Sequence, residues 1–342
     1  MKSIYSWLLT ASLSITLQTA ANEPDTYIAE LTKKADMGDL DSLFSLATHY
    51  RISNDGKDSD LALKYLLQAA NMGHAEAQWM LGTTYFVGDM GLPEDYPIAI
   101  EWYKKAAEQG YIHAQEQMAF MYVHGCGVPK DLKLAVEWYA KAAKQGSVKA
   151  QVSLGKMYLY GRGVGLDYEE AIFWYTKAAT QKDRSAASQL GFMNYYGLGV
   201  AEDSKQAFEW YKKAAGMGSD SAKTIVGLMY YRGAGVDVDL VEAYAWALLV
   251  TSDEALEYEL IDPNLVQQIM SLISHKQGSN ENSQPMYRYS PNTNENDLGF
   301  QAVFTSEHKL TGMKKVLEKS LTAKQMLDGQ KRANEIKDQM KK

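Results

Sequence analysis

The sequence predicts an all-α, right-handed α/α solenoid of two-helix repeats, and three observations carry that prediction. Trp102, Trp138, Trp174, Trp210 and Trp246 follow one another at intervals of 36 residues. Gly125, Gly161, Gly197 and Gly233 keep the same interval, as do Asp95, Asp131, Asp167, Asp203 and Asp239. Between successive tryptophans lie two apolar stripes at helical spacing, separated by a glycine-rich turn. Self-similarity at a period of roughly 20 to 50 residues marks stacked units that bury their apolar faces against their neighbours. Arrays of this kind mostly bind other proteins, so the period also bounds the function.

The elements follow in chain order. Lys2 precedes an apolar stretch from Ile4 to Leu17, and Thr19-Ala20-Ala21 then supply the small residues a signal peptidase requires, so residues 1–21 read as a cleaved secretory signal. The stretch is too short and too rich in Ser and Thr for a bilayer span, which needs about 20 apolar residues. No Cys follows it, which argues against a lipid anchor. With no comparable apolar segment elsewhere, the expectation is a periplasmic or secreted chain without stable membrane insertion. Residues 22–252 then hold the array. Lys33-Lys34-Ala35 and Gly38 resemble the second half of a unit and read as an N-terminal cap, and about six repeats follow, the first of them weak.

Each recurrent slot in a repeat has a mechanical reason. Ala77, Leu81 and Tyr85 fall on one face of a first helix, and Ala99, Trp102, Tyr103 and Ala106 form the apolar stripe of a second. Gly82, Gly155, Gly191 and Gly227 lie inside first helices, where glycine costs about 1 kcal/mol relative to alanine. They are expected to be contact points for a bulky partner, with the second-helix Trp as the candidate. The recurrent Asp falls at the N-cap of the second helix, and Glu170, Gln206 and Glu242 at N3 are expected to complete capping boxes. Pro97 is tolerated in a first turn whose amides have no intrahelical acceptor. Gly110, Gly146 and Gly218 close second helices; Lys182 stands where that glycine is expected, and Asn194 where a Tyr is expected, which predicts a softer unit there.

The string Ala150-Gln151, Leu154-Gly155, Tyr158, Gly161-x-Gly163-Val164, Asp167, Ala171, Trp174-Tyr175, Lys177-Ala178-Ala179 resembles the Sel-1-like repeat, a relative of the tetratricopeptide repeat, and the resemblance covers roughly residues 24 to 252. It implies a helical solenoid acting as a non-catalytic adaptor, in bacteria often in the envelope or at a host surface. A cysteine-rich subgroup pairs two cysteines in each repeat and has been credited with β-lactam binding or hydrolysis, but this chain has a single cysteine, Cys126. An enzyme acting on cell-wall or β-lactam substrates is therefore the alternative, without its best support.

Chemistry-bearing motifs are sparse. Cys126 sits in a Gly-Cys-Gly turn, at a slot filled elsewhere by Arg162, Leu198 and Ala234, and His124 is two residues away; a thiol on such a turn lacks a fixed base and an oxyanion hole. The six histidines are scattered, with no zinc-protease or phosphate-loop pattern, so no catalytic residue, cofactor or metal is expected. The binding surface is expected on the first helices, which line the concave side if the array follows its tetratricopeptide relatives. The slots two residues after the Leu hold Thr83, Phe120, Lys156, Phe192 and Leu228; those six after it hold Val87, His124, Tyr160, Tyr196 and Arg232. Exposed aromatics and Arg are the usual hot-spot residues, so Phe120, His124, Lys156, Tyr160, Phe192, Tyr196 and Arg232 are the candidate contacts for a protein or peptide partner. Packing of these aromatics between units is the alternative.

Residues 253–342 form a C-terminal region. A helix pair broken at Pro263 is expected over 253–274, an Asn-, Ser- and Pro-rich insert over 276–298, and helices from Ser306 onward. The Leu321-Thr322-x-x-Gln325 segment resembles a terminal capping helix. Residues 306–342 hold 10 Lys and Arg against 5 Asp and Glu in a chain of net charge −7, so self-association or an acidic partner is the sharper reading. Mild acidity and the lack of aromatic interleaving in this helix argue against nucleic acid. A composition 46% hydrophobic, with 26 Gly and 7 Pro, is that of a folded chain.

Overall fold

The computed structural model describes residues 24–52, 58–250, 314 and 317–341. The expected signal (1–21), the 253–274 helix pair and the 276–298 insert lie outside the described residues. The rest is helical, with no strand among the described residues. The chain divides into two compact units, the first ending at Ala150 and the second starting at Gln151.

In the first unit, α1 (Pro24–Asp36) precedes the hairpins α2 (Leu40–Ile52)/α3 (Ser59–Asn71), α4 (Ala75–Val87)/α5 (Tyr96–Glu108) and α6 (Ile112–His124)/α7 (Leu132–Lys144). In the second, α8 (Val148–Leu159) pairs with α9 (Tyr168–Thr180), α10 (Arg184–Tyr196) with α11 (Ser204–Gly216), and α12 (Asp220–Arg232) with α13 (Leu240–Leu248). The last helix, α14 (Ala323–Met340), packs on α13.

Three of the mid-helix glycines, Gly82, Gly155 and Gly191, are contact points, but the residue they admit is the Tyr after the tryptophan. A Cβ on Gly82 would lie 2.7 Å from the Tyr103 ring, one on Gly155 2.8 Å from Tyr175, and one on Gly191 3.0 Å from Tyr211. Residues i and i+1 on a helix point about 100° apart, so the slot that faces the hairpin partner excludes its neighbour from the same place. The tryptophans turn instead to the repeat before: Trp102 packs against the cluster of Leu66, Ala69, Ala70 and Leu81, and Trp138 against that of Ala99, Tyr103 and Met118. A lysine three residues on covers the exposed indole face, with Lys105 and Lys141 each 3.8 Å from the Trp102 and Trp138 ring centroids.

A polar clasp also recurs. The amide of each second-helix N-cap Asp donates to a carbonyl in the last turns of the first helix: Asp95 to Tyr85 (2.8 Å), Asp131 to Tyr122 (2.9 Å), Asp167 to Tyr158 (3.0 Å), Asp203 to Asn194 (2.9 Å) and Asp239 to Tyr230 (3.0 Å). The clasp uses main chain only, so Asn194 serves as well as Tyr. Each Asp carboxylate caps its helix as expected. The reciprocal half of the capping box is not what the N3 acids do, however. Glu170 accepts from the Trp174 indole at 3.1 Å and Glu242 pairs with Arg332 at 2.5 Å; the full box forms at Thr322 and Gln325.

The repeated glutamine, unexplained in sequence, links hairpins. Buried Gln115 donates to the Ala107 carbonyl of the preceding repeat at 3.1 Å and accepts from Gln145 at 2.8 Å. Gln78 repeats the pattern with Ala70 and Gln109, and Gln151 accepts from Gln181. The first-unit tyrosine hydroxyl is met as well, Tyr103 donating to Thr83 at 3.1 Å. Tyr175, at the matching place in the second unit, is fully buried, and its hydroxyl has no hydrogen-bond partner among the described residues.

Lys182 adopts the left-handed backbone (φ 65°) that Gly110, Gly146 and Gly218 adopt at the equivalent turns, so the cap forms, with the strain of a Cβ. At the C-terminus, α14 serves as the capping helix. Its Gly329 sits against Tyr244 (2.8 Å for a built Cβ), and Leu317 and Leu321 join the Tyr244 cluster, so its apolar face is engaged by its own chain.

Three outcomes follow. Gly155→Val is expected to lower unfolding free energy by about 3 kcal/mol, since overpacking against a buried ring has nowhere to relax, whereas Tyr175→Phe, which removes a buried unpartnered hydroxyl, is expected to be neutral or stabilising by up to about 1 kcal/mol. Lys182→Gly is expected to stabilise the chain by about 1 kcal/mol by relieving a left-handed side chain. Urea unfolding followed by far-ultraviolet circular dichroism checks all three; a stabilised Gly155→Val, or a destabilised Lys182→Gly, contradicts the packing and the strain just described.

Candidate partner-binding surface

A second-helix Tyr seated on bare first-helix backbone draws the two helices of a hairpin together and leaves the last turn of the first helix facing outward. That placement sorts the sequence-predicted slots into two ranks. The inner rank is largely covered: Thr83, Phe192 and Leu228 are buried, and Phe120 and Lys156 are half-buried. The outer rank, one turn on, is accessible, with Val87, Tyr160 and Tyr196 half-buried and His124 and Arg232 exposed. Phe192 is therefore not a surface contact, being only 5% exposed. It supports Tyr196, their ring centroids 4.8 Å apart.

In the first unit the outer rank is part of an aromatic patch. Phe120 packs against His124 with ring centroids 4.3 Å apart, and Phe86 lies 6.2 Å from Phe120 and 5.2 Å from Tyr96. Phe86 and Tyr96 lie outside the two ranks that the period singles out, Phe86 five residues after Leu81 and Tyr96 directly after the Asp95 cap. In the second unit Tyr195 and Tyr196 meet edge to face at 5.1 Å, and Tyr231, 39% exposed, adjoins Arg232 in the chain. Burial raises the phenols of Tyr211 and Tyr175 well above their usual range, with Tyr196 and Tyr160 respectively adding to the effect. Those hydroxyls stay neutral. Lys156 and Arg232 bring positive charge to the same unit.

The one dense group of titratable side chains elsewhere is structural. Glu116 on α6 is buried, accepts from the Ser147 hydroxyl at 2.5 Å, and faces His113 and Lys149, each at 3.8 Å. Ser147 in turn caps the following helix through the Ala150 amide at 3.0 Å. Burial works to raise the Glu116 carboxyl, but its hydrogen bonds and Lys149 prevail and hold it below the usual range, while His113 is raised, chiefly by hydrogen bonding to Glu116. The group ties one repeat to the next. Cys126 is free and packs half-buried against the Tyr103 and Met118 cluster. Among the described residues no group of three or more His, Cys, Asp or Glu is placed to hold a metal ion, and no helix is long and apolar enough to cross a membrane.

Helix hairpins that share one frame and differ in the side chains they present define a repeat-type scaffold for protein contact. The chain belongs to the Sel1 repeat family, whose repeat matches residues 41–74, 75–111, 112–147, 148–183, 184–219 and 221–249. Members of this family typically act through protein–protein interaction and are generally non-catalytic. A protective antigen present in uropathogenic Escherichia coli strains, which displays this repeat fold, is 32% identical and superposes with a TM-score of 0.62 over 71% of this chain and 52% of its own. A Sel1 repeat protein from Oxalobacter formigenes is 28% identical, with a TM-score of 0.54 over 64% of this chain and 94% of its own. The chitin synthase regulator SKT5 of Saccharomyces cerevisiae is 32% identical over 105 residues, 30% of this chain and 15% of that protein. The chain thus matches about half the length of the bacterial antigen and a small part of the yeast regulator.

The Glu116 group makes stability depend on pH. His113, raised in the fold, contributes stability that is full below its unfolded value of about 6.5 and is lost as pH rises through its folded value. Native stability is therefore expected to carry a falling component above about pH 6.5 that His113→Gln lacks, measured by urea midpoints from pH 5.5 to 8.5; identical pH profiles would rule out the His113–Glu116 contact as its source.

Proposed function

We propose that this protein is a non-catalytic adaptor, exported through its N-terminal segment to the periplasm or beyond, that binds a protein or peptide along the outer rank of its first helices. One observation supports the reading above others. The frame slots repeat from unit to unit, whereas the accessible slot reads Val87, His124, Tyr160, Tyr196 and Arg232, four different side chains over five units. A surface whose scaffold repeats and whose exposed side chains do not is what recognition of an irregular partner requires. Paired aromatics such as Phe120 with His124 and Tyr195 with Tyr196 supply large contact area at small entropic cost.

The test is capture from an envelope extract on the immobilised chain beside two variants, Phe120→Ala/His124→Ala and Tyr196→Ala/Arg232→Ala. A specific partner retained by the native chain and weakened at least tenfold by either variant, with helicity unchanged, is the expected result. Equal capture by all three, or no specific partner, overturns the assignment of this rank. Cleavage of the first residues on export, read by mass of the secreted product, tests the location separately.

A further inference from the structure

The second unit contains a cavity of about 770 Å³ that the repeats alone do not make, because α14 supplies one of its sides through Arg332, Ile336 and Met340. Its volume lies in the range of about 300–1,000 Å³ usual for ligand sites. Met217, Trp246 and Ile336 give it apolar walls, and Lys182, Lys212 and Lys213 give it positive charge. The other two charged groups in its lining answer each other, Arg332 donating to Glu242 at 2.5 Å and to Glu335 outside it at 3.0 Å. None of the three lysines has an ion-pair partner among the described residues; Lys212 and Lys213 lie over the Phe208 and Trp210 rings.

One wall also carries a departure from the repeat. The turn that closes the second helix carries glycine at 38, 73, 110, 146 and 218, but Lys182 in the α9 repeat, held at φ 65°. The position before that turn is Gln at 109, 145 and 181 and Met at 37, 72 and 217, and Met217 lines the cavity. Lys182 gives up the unstrained turn that the frame supplies, and it too lines this cavity. Strain retained at one position and placed on a cavity wall points to function.

We propose that this cavity is a second binding site, distinct from the first-helix rank, that takes an acidic peptide segment anchored by apolar side chains. Three lysines from two separate elements, the turn after α9 and the body of α11, suit carboxylates spread along a segment, and Met217, Trp246 and Ile336 suit the side chains between them. The site exists only in a chain that retains α14.

The probe is a fluorescein-labelled octapeptide in which Glu alternates with Leu and Phe, titrated by anisotropy into the full chain, beside the same peptide with Gln for Glu. Saturable binding that falls at least tenfold in Lys212→Glu/Lys213→Glu, at least threefold in Lys182→Gly, and with rising salt, is the expected result. Lys182→Gly separates binding from folding, since it is expected to raise stability while lowering affinity. No saturable binding, equal affinity for the Gln peptide, or indifference to the lysine variants overturns the proposal. So does binding to phosphatidylglycerol vesicles without binding to the peptide. Loss in Tyr196→Ala/Arg232→Ala alone would place the peptide on the first-helix rank, leaving that reading intact and ending this one.

Discussion

The approach of a second-helix tyrosine ring to first-helix backbone, as at Tyr175 over Gly155, sets the geometry of each hairpin in which it occurs. A Cβ at that place would lie 2.8 Å from the ring, inside van der Waals contact. Glycine inside a helix is unfavourable by about 1 kcal/mol, and burial of an aromatic ring offsets that several times over. Once the ring is seated, the rest follows from where it points. The neighbouring tryptophan is directed to the previous repeat, the Asp N-cap amide reaches the carbonyl of the first helix, and the final turn of that helix is left outside the core. Where Ala119 replaces the glycine, Tyr139 remains buried at the slot, so the frame tolerates one methyl group there.

Polar links between repeats are also satisfied largely by the frame. Gln115 spans from the Ala107 carbonyl to Gln145, using its amide as donor and acceptor at once. Buried amides with one side unmet are costly, so a repeated Gln at this position needs partners in both neighbouring helices. Because the frame meets these demands by itself, the outer rank is free to vary. That division of labour is why a scaffold of this family can carry different recognition surfaces without refolding.

The sequence disclosed the period, the helix pairs, the Asp caps and the close approach at Gly82, Gly155 and Gly191, because each leaves a residue type that little else explains. It did not disclose which side chain fills the approach. Trp174 and Tyr175 are adjacent and both apolar, and only the helix's rotation in three dimensions chooses between them. The N3 acids misled for a related reason: Glu170 and Glu242 satisfy the capping-box pattern but find other partners, an indole N–H four residues on and a guanidinium 90 residues away. Of the candidate site, the register of the outer rank was legible from periodicity, while the burial of Phe192 was not, because one helical turn separates a covered slot from an open one. Phe86 and Tyr96 escaped because Phe86 falls one residue short of the outer slot and Tyr96 opens a second helix, so that first-helix periodicity points to neither.

Departures from the repeat carry different meanings according to what the slot does. Asn194 replaces a tyrosine whose contribution to the clasp is its main-chain carbonyl, and the bond from Asp203 persists at 2.9 Å; such a change costs the frame little and needs no further reason. Lys182 replaces a glycine whose contribution is its freedom to turn left-handed, so it removes the property for which the slot exists. Drift accumulates where substitutions are cheap, and this one is not. That Lys182 lines a cavity, beside two more lysines and the indole of Trp246, makes selection for what the cavity holds a better account of it than relaxed constraint on an otherwise well-formed repeat.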